Sequence, residues 1–212
     1  MDDVMLGDMW AYAPDRLHLD NLRLAFCTWK HGYNINMLYS QCDDVSPMFL
    51  LVKTTSDTSG RVFGAYITEP LTKRHSTRGY FGSGESFVFS LDPHSQKFDW
   101  VGTEKMRVRA LALAKGEFVS DDGDDINKAH SFFTQANNDM IMIGGGDSGH
   151  AILINSDLSE GSTNKNATYT NPPFVEQVQF HIADVEVWCL ASDVGTIMQH
   201  AGEHTPVYNH GS

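Results

Sequence analysis

Cysteine is scarce in this 212-residue chain. Cys27, Cys42 and Cys189 are the only three, none forms a CxxC pair, and an odd number cannot all join. A disulfide framework is therefore excluded as the basis of the fold, and a reducing compartment is expected. Long apolar runs are missing too: the longest, Met48 to Val52, is about five residues, against roughly 20 needed to cross a bilayer. The chain opens on Asp2 and Asp3 rather than on a basic stretch followed by an apolar one, so a soluble, cytoplasmic protein is expected. Basic residues are few: 15 Lys and Arg stand against 27 Asp and Glu, a net charge of −12. Such a surface repels phosphate backbones and anionic lipid. The expectation is no nucleic acid and no direct membrane insertion, with a basic protein surface as the better-matched partner.

Apolar material is present in quantity. Hydrophobic residues make up 41%, with 12 Phe, 7 Tyr and 4 Trp, enough for a packed core and too much for a disordered chain. Short strand-like runs recur from Leu22 to about Leu190. Met48–Thr54 reads as a buried strand, Ser56–Gly60 as a turn and Arg61–Ile67 as the returning strand of a hairpin. Ser86–Leu91 alternates Phe87 and Phe89, and Phe98–Val101 reads as its short partner. Met140–Ile143 and His150–Ile154 flank a glycine cluster. Val178–Ile182 and Val185–Leu190 read as two strands divided by Ala183-Asp184. One helix is marked by Asn34 as cap, by Ile35, Leu38, Tyr39 and Cys42 on one face, and by Pro47 beyond its end. A second helix is expected over Glu104–Lys115. These elements predict an α+β fold: a sandwich of two antiparallel sheets flanked by short helices, with Leu51, Phe87, Phe89, Ile152 and Trp188 buried.

Several segments mimic catalytic motifs. Gly144-Gly145-Gly146-Asp147-Ser148-Gly149 satisfies the dinucleotide pattern, but a strand-like run follows where a helix must hold the pyrophosphate, so a tight strand-to-strand connection without nucleotide is expected. The Gly146-Asp147-Ser148-Gly149 stretch also matches the surroundings of a serine-protease nucleophile, yet no His lies in the required upstream setting. His200-Ala201-Gly202-Glu203-His204 spells a zinc motif on a segment that Gly202 and Pro206 keep from being a stable helix. Asp121-Asp122-Gly123-Asp124-Asp125 has calcium-like spacing without the closing bidentate Glu, and reads as a solvated acidic insertion near 115–128. Asn166-Ala167-Thr168 is a glycosylation triplet, expected to be idle because the sequence shows no export signal. No catalytic residue, metal site or cofactor is assigned. The most distinctive segment is Gly79 to Phe87, where three glycines alternate with two aromatics and Glu85 opens an apolar strand. Glu85 is either a carboxylate bonded to amides at a turn or an acid offered to a partner.

The succession of His31-Gly32-Tyr33, Leu38-Tyr39, Leu50 to Thr55, Val62 to Tyr66, Gly82 to Phe87, Ile143 to Gly146, Asp157-Leu158, Asn171-Pro172-Pro173 and Glu186-Val187-Trp188 resembles the TLDc domain. The resemblance covers about Leu22 to Leu190, and the opening residues Met9-Trp10 and Pro14-Asp15-Arg16 are most similar to TLDc domains joined to a Rab-GAP-type TBC domain. It implies residues 1–21 as a lead-in, 22–190 as the domain and 191–212 as a loose tail. It also implies the two-sheet sandwich, a link to oxidative-stress resistance, and binding and regulation of the vacuolar proton-pumping ATPase. A TBC domain in the parent chain and a peripheral place at vesicle or endolysosomal membranes, through a partner, are implied with it. The family motif positions implied for binding are Gly82, Gly84, Glu85, Ser86, Gly144, Gly145, Gly146, Asn171, Pro172 and Glu186. Ala167 stands where many members carry Cys, which counts against a peroxide-scavenging thiol there. Two functional expectations follow: a non-catalytic interaction domain, or a hydrolase or redox enzyme using Glu85 or a cysteine. A Glu85 held in an ion pair favours the first; a Glu85 enclosed beside His or Ser favours the second.

Overall fold

A computed structural model gives the architecture, describing residues 3–77, 79–116, 131–146, 149–191 and 207–208. One strand organises it. β10 (Gln179–Leu190) is twelve residues long and belongs to two sheets. Its first three residues pair with β9 (Glu160–Ser162), and Ile182 to Cys189 pair with β2 (Met48–Thr54). The first sheet runs from β5 (Gln96–Asp99) through β4 (Phe87–Asp92), β3 (Val62–Ile67), β2 and β10 to β1 (Leu22–Cys27). The second runs from β10 through β9, β8 (Ile152–Asn155) and β7 (Met140–Ile143) to β6 (Thr134–Ala136). Every pairing is antiparallel. The α+β sandwich read from the sequence is the observed fold.

The sheets face each other across one core. Leu50, Val52, Phe63, Ala65 and Val88 of the first meet Ile141, Ile143, Ile152 and Ile154 of the second, and the Phe63 and Phe180 rings meet edge-on at 5.3 Å. The first sheet is buried on its other face as well. There Phe49, Leu51, Tyr66, Phe87, Phe89 and Trp188 are covered by α1 (Asp3–Ala11), whose Leu6, Met9 and Trp10 recur at i, i+3 and i+4. Burial stabilises side chains of this size by about 1.5–3 kcal/mol each, so α1 is held by packing rather than by its length. Leu51, Phe87, Phe89, Ile152 and Trp188 are all buried, as the alternation predicts. The two-sided cover also shows in β10. Its first half alternates exposed and buried residues, while its last six residues are buried without a break.

Two readings need correction. Val178–Ile182 and Val185–Leu190 are one strand, because Ala183-Asp184 forms a bulge with a register shift between Ile182 and Asp184 rather than a turn. The partner of β4 is Gln96–Asp99 and not Phe98–Val101; α4 (Val101–Ala114) begins where that strand was expected to end. Met140 and Met142 are half-buried on the outer face of β7, since Ile141 and Ile143 take the inward positions. α3 (Ile35–Cys42) follows the sequence closely: Asn34 Oδ1 accepts from the Asn36 amide, and the expected four residues are buried. The segment read as a loose tail supplies a two-residue strand, β11 (Val207–Tyr208), which pairs with β1. The acidic block Asp121–Asp125 and the His200–His204 motif lie outside the described residues.

Candidate functional site

Most of the motif positions meet in one loop cluster. The turn before β4 enters through Phe81, whose backbone pairs with Thr134. Gly82 has φ +122°, and a Cβ there would lie 2.8 Å from the Phe133 Cβ, so the position requires glycine twice over. A Cβ on Gly84 would meet the Trp100 ring at 2.6 Å. Ser83, Thr68 and Ser86 tie the turn with hydroxyl bonds: Ser83 N donates to Thr68 Oγ1 at 3.0 Å, and Thr68 Oγ1 lies 3.1 Å from Ser86 Oγ. Ser86 is buried, whereas Glu85 projects outward.

Glu85 is held from an unexpected direction. Both its carboxylate oxygens accept from the Arg16 guanidinium, Oε1 from Nη1 at 2.9 Å and Oε2 from Nη2. The hydrogen bonds to Glu85 raise the Arg16 pKa above its usual value. The two side chains are 56% and 52% exposed, so this bidentate pair fixes a direction more than it stabilises the fold. Of the two expectations for Glu85, the structure shows the ion-paired one.

The glycine cluster joins β7 to β8, with Asp147 and Ser148 outside the described residues. Its organiser is Asn166, which is 1% exposed. Asn166 Nδ2 donates to Gly145 O at 3.1 Å and to Gly149 O at 2.8 Å, and Oδ1 accepts from the Thr168 amide at 2.8 Å and the Tyr169 amide at 3.3 Å. Thr168 Oγ1 adds a bond to Gly145 O at 3.2 Å. Both amide hydrogens of Asn166 are thus occupied in a buried site, which closes the glycosylation triplet to modification in the folded state. A Cβ on Gly145 would stand 2.8 Å from the Phe132 Cβ. Asn171 is buried and donates to Asn164 O at 3.2 Å and Pro172 O at 2.9 Å. Pro172 and Pro173 are exposed, and the following Phe174 stacks on Phe63 at 4.8 Å.

The ten motif positions therefore divide by exposure. Gly82, Gly84, Glu85, Gly146 and Pro172 reach the surface; Ser86, Gly144, Gly145, Asn171 and Glu186 are buried. Glu186 stands apart from the rest, on the α1-covered face of the first sheet, where its Oε2 accepts from Trp188 Nε1 at 2.7 Å. There it lines a groove of about 540 Å³ with Lys53, Asp92 and Asp184. Sequence reasoning missed Arg16 and Asn166 as the residues that set the site. The first had no local signal, and the second was hidden in a modification triplet.

All three cysteines are buried. Burial pushes the Cys27 and Cys42 thiols above their usual pKa, the reverse of what a reactive thiolate needs. Among the described residues no helix is long and apolar enough to cross a membrane, and no group of His, Cys, Asp or Glu is placed to hold a metal ion.

Comparison with known proteins gives the same family as the motif order. The chain is 28% identical to TBC1 domain family member 24 of Xenopus tropicalis over 92% of its length, covering 38% of that protein. It is 30% identical to the GTPase-activating protein skywalker of Drosophila melanogaster, over 88% of the chain and 29% of the relative. Human oxidation resistance protein 1 is 28% identical over 78% of the chain and 15% of the relative. The chain thus spans well under half the length of these relatives. The model of the TLDc domain matches residues 1–191, and the chain belongs to the TLDc family.

Proposed function

We propose that this domain is a non-catalytic interaction module linked to oxidative-stress protection, and that it acts by binding and regulating the vacuolar proton-pumping ATPase from the cytoplasmic side. The observation that carries the reading is the clamped Glu85. A general acid or base needs a shifted pKa and a reacting partner within reach; Glu85 is instead half-exposed and taken up by Arg16. Buried thiols with raised pKa values argue in the same direction against a redox enzyme. Family membership and the name of one relative, oxidation resistance protein 1, support the stress link.

The proposed docking surface is built from the exposed motif positions, Gly82 to Glu85, Gly146 and Pro172. The glycines bring bare backbone to the surface, and Pro172-Pro173 holds its loop extended without amide donors. The net charge of −12 suits a basic partner surface through steering that weakens with salt. The test is a pull-down of purified vacuolar ATPase with the purified chain, beside a Glu85→Ala variant shown to be folded by circular dichroism. Retention by the parent and loss by the variant are expected. Equal retention by both removes Glu85 from the surface, and no retention by the parent sinks the reading.

A further inference from the structure

The outer edge of β1 carries a contact that lies beyond the family match. That match ends at residue 191, yet β11 pairs antiparallel with β1, Tyr208 opposite Leu22 and Val207 opposite Arg23. On its inner side β1 pairs with β10, with a register shift between Leu24 and Phe26. A bulge bends its strand and increases the local twist, so the regular outer edge is the short stretch Leu22–Leu24. β11 covers two of those three residues. An open strand edge presents amides and carbonyls that another extended chain can take, and this edge already accepts one.

A second observation lies at the same place. Arg23 is half-buried; its Nη2 donates to Cys189 Sγ at 3.7 Å, and its Nε is buried without a hydrogen-bond partner. A guanidinium has five donors and no acceptor, and sulfur is a weak acceptor. The cation at position 23 therefore has donor capacity that the described residues do not use.

We propose that the Leu22–Leu24 edge is a strand-addition site, occupied by β11 and open to an extended segment of a partner protein that brings a carboxylate to Arg23. The parts define the ligand class. Backbone pairing takes any extended chain, while the guanidinium selects a carboxylate, which it can bind bidentately. Tethering gives β11 an effective concentration on the order of millimolar, so two paired residues suffice within the chain. A competing segment needs the added ion pair to displace it.

The test uses the whole chain. The double substitution Val207→Pro/Tyr208→Pro removes both β11 amide donors. Hydrogen exchange is then read at the Leu22, Arg23 and Leu24 amides. The capped peptide Thr-Val-Glu-Val-Thr is titrated while backbone shifts are followed, with Thr-Val-Lys-Val-Thr as control. Exchange at the edge amide facing β11 is expected to rise about tenfold or more. The glutamate peptide should then give saturable shifts along β1, at least about tenfold tighter than the lysine peptide. Arg23→Gln in the same background should level the two peptides, and Arg23→Lys should restore part of the difference. Unchanged exchange in the double variant would show that β11 does not close this edge. Absence of shifts with the glutamate peptide, or equal binding of both peptides with Arg23 present, would overturn the site.

Discussion

Replacing Asn166 by Ala should destabilise the domain by about 3–5 kcal/mol, more than any single surface change. The side chain is 1% exposed and makes four hydrogen bonds: two donated to Gly145 O and Gly149 O, two accepted from the Thr168 and Tyr169 amides. A buried polar group left unpaired costs about 1–3 kcal/mol. Gly145 O keeps a bond from Thr168 Oγ1, so up to three groups are stranded, and a water entering the space offsets part of the loss. For a chain of this size the change corresponds to a fall of roughly 6–20 °C in midpoint. Asn166→Asp is the sharper variant. It keeps the acceptors, loses the donors and sets a carboxylate against two carbonyls, so it should be no more stable than the alanine variant at pH 7. Urea unfolding followed by tryptophan fluorescence reads both. A loss under about 1 kcal/mol for Asn166→Ala would refute the claim that this amide holds the glycine connection together.

Gly84→Ala should cost about 1–3 kcal/mol, because its Cβ would stand 2.6 Å from the Trp100 ring, while Gly79→Ala, with nothing within 4 Å, should be nearly neutral; paired thermal melts compare them, and equal shifts would contradict the packing. Cys27, Cys42 and Cys189 should resist a thiol reagent at pH 8 in the native state and react fully in denaturant; rapid native labelling of any one would show an accessible thiol. Burial lowers the His31 and His150 pKa values below 6.5, so the unfolded chain binds the extra protons. Stability should be fully present above pH 6.5, fall as pH drops through the depressed folded values, and level off below them. Denaturant melts at stepped pH should show that fall, with a shallower slope in His150→Gln; an unchanged slope would remove His150 from the cause.

The strength of the local signal decided what the sequence revealed. β2 was legible to the residue because an apolar run lies between Pro47 and the Ser56 turn, and α3 because Asn34 caps a clean apolar face. β9 was not, since nothing in Glu160-Gly161-Ser162 marks a strand; pairing with β8 and β10 makes it one. Ala183-Asp184 read as a break between two strands because its residues suit a break or a bulge, and only the pairing of β10 with β2 and β9 decides between them. At the site, the glycines and Glu85 stood out by composition. Their partners could not, since Arg16 is 69 residues from Glu85 and Asn166 is 21 from Gly145.

The measurement that bears most directly on the proposed function is equilibrium binding of the purified chain to purified vacuolar ATPase, with the charge-swapped pair Arg16→Glu/Glu85→Arg run in parallel. The swap preserves an exposed ion pair and leaves the fold in place, but reverses the charge that position 85 presents. The account predicts saturable binding by the parent at about micromolar affinity or better, weakening with salt, and at least about a tenfold loss for the swapped pair. A parent chain that does not bind the pump at all would contradict it.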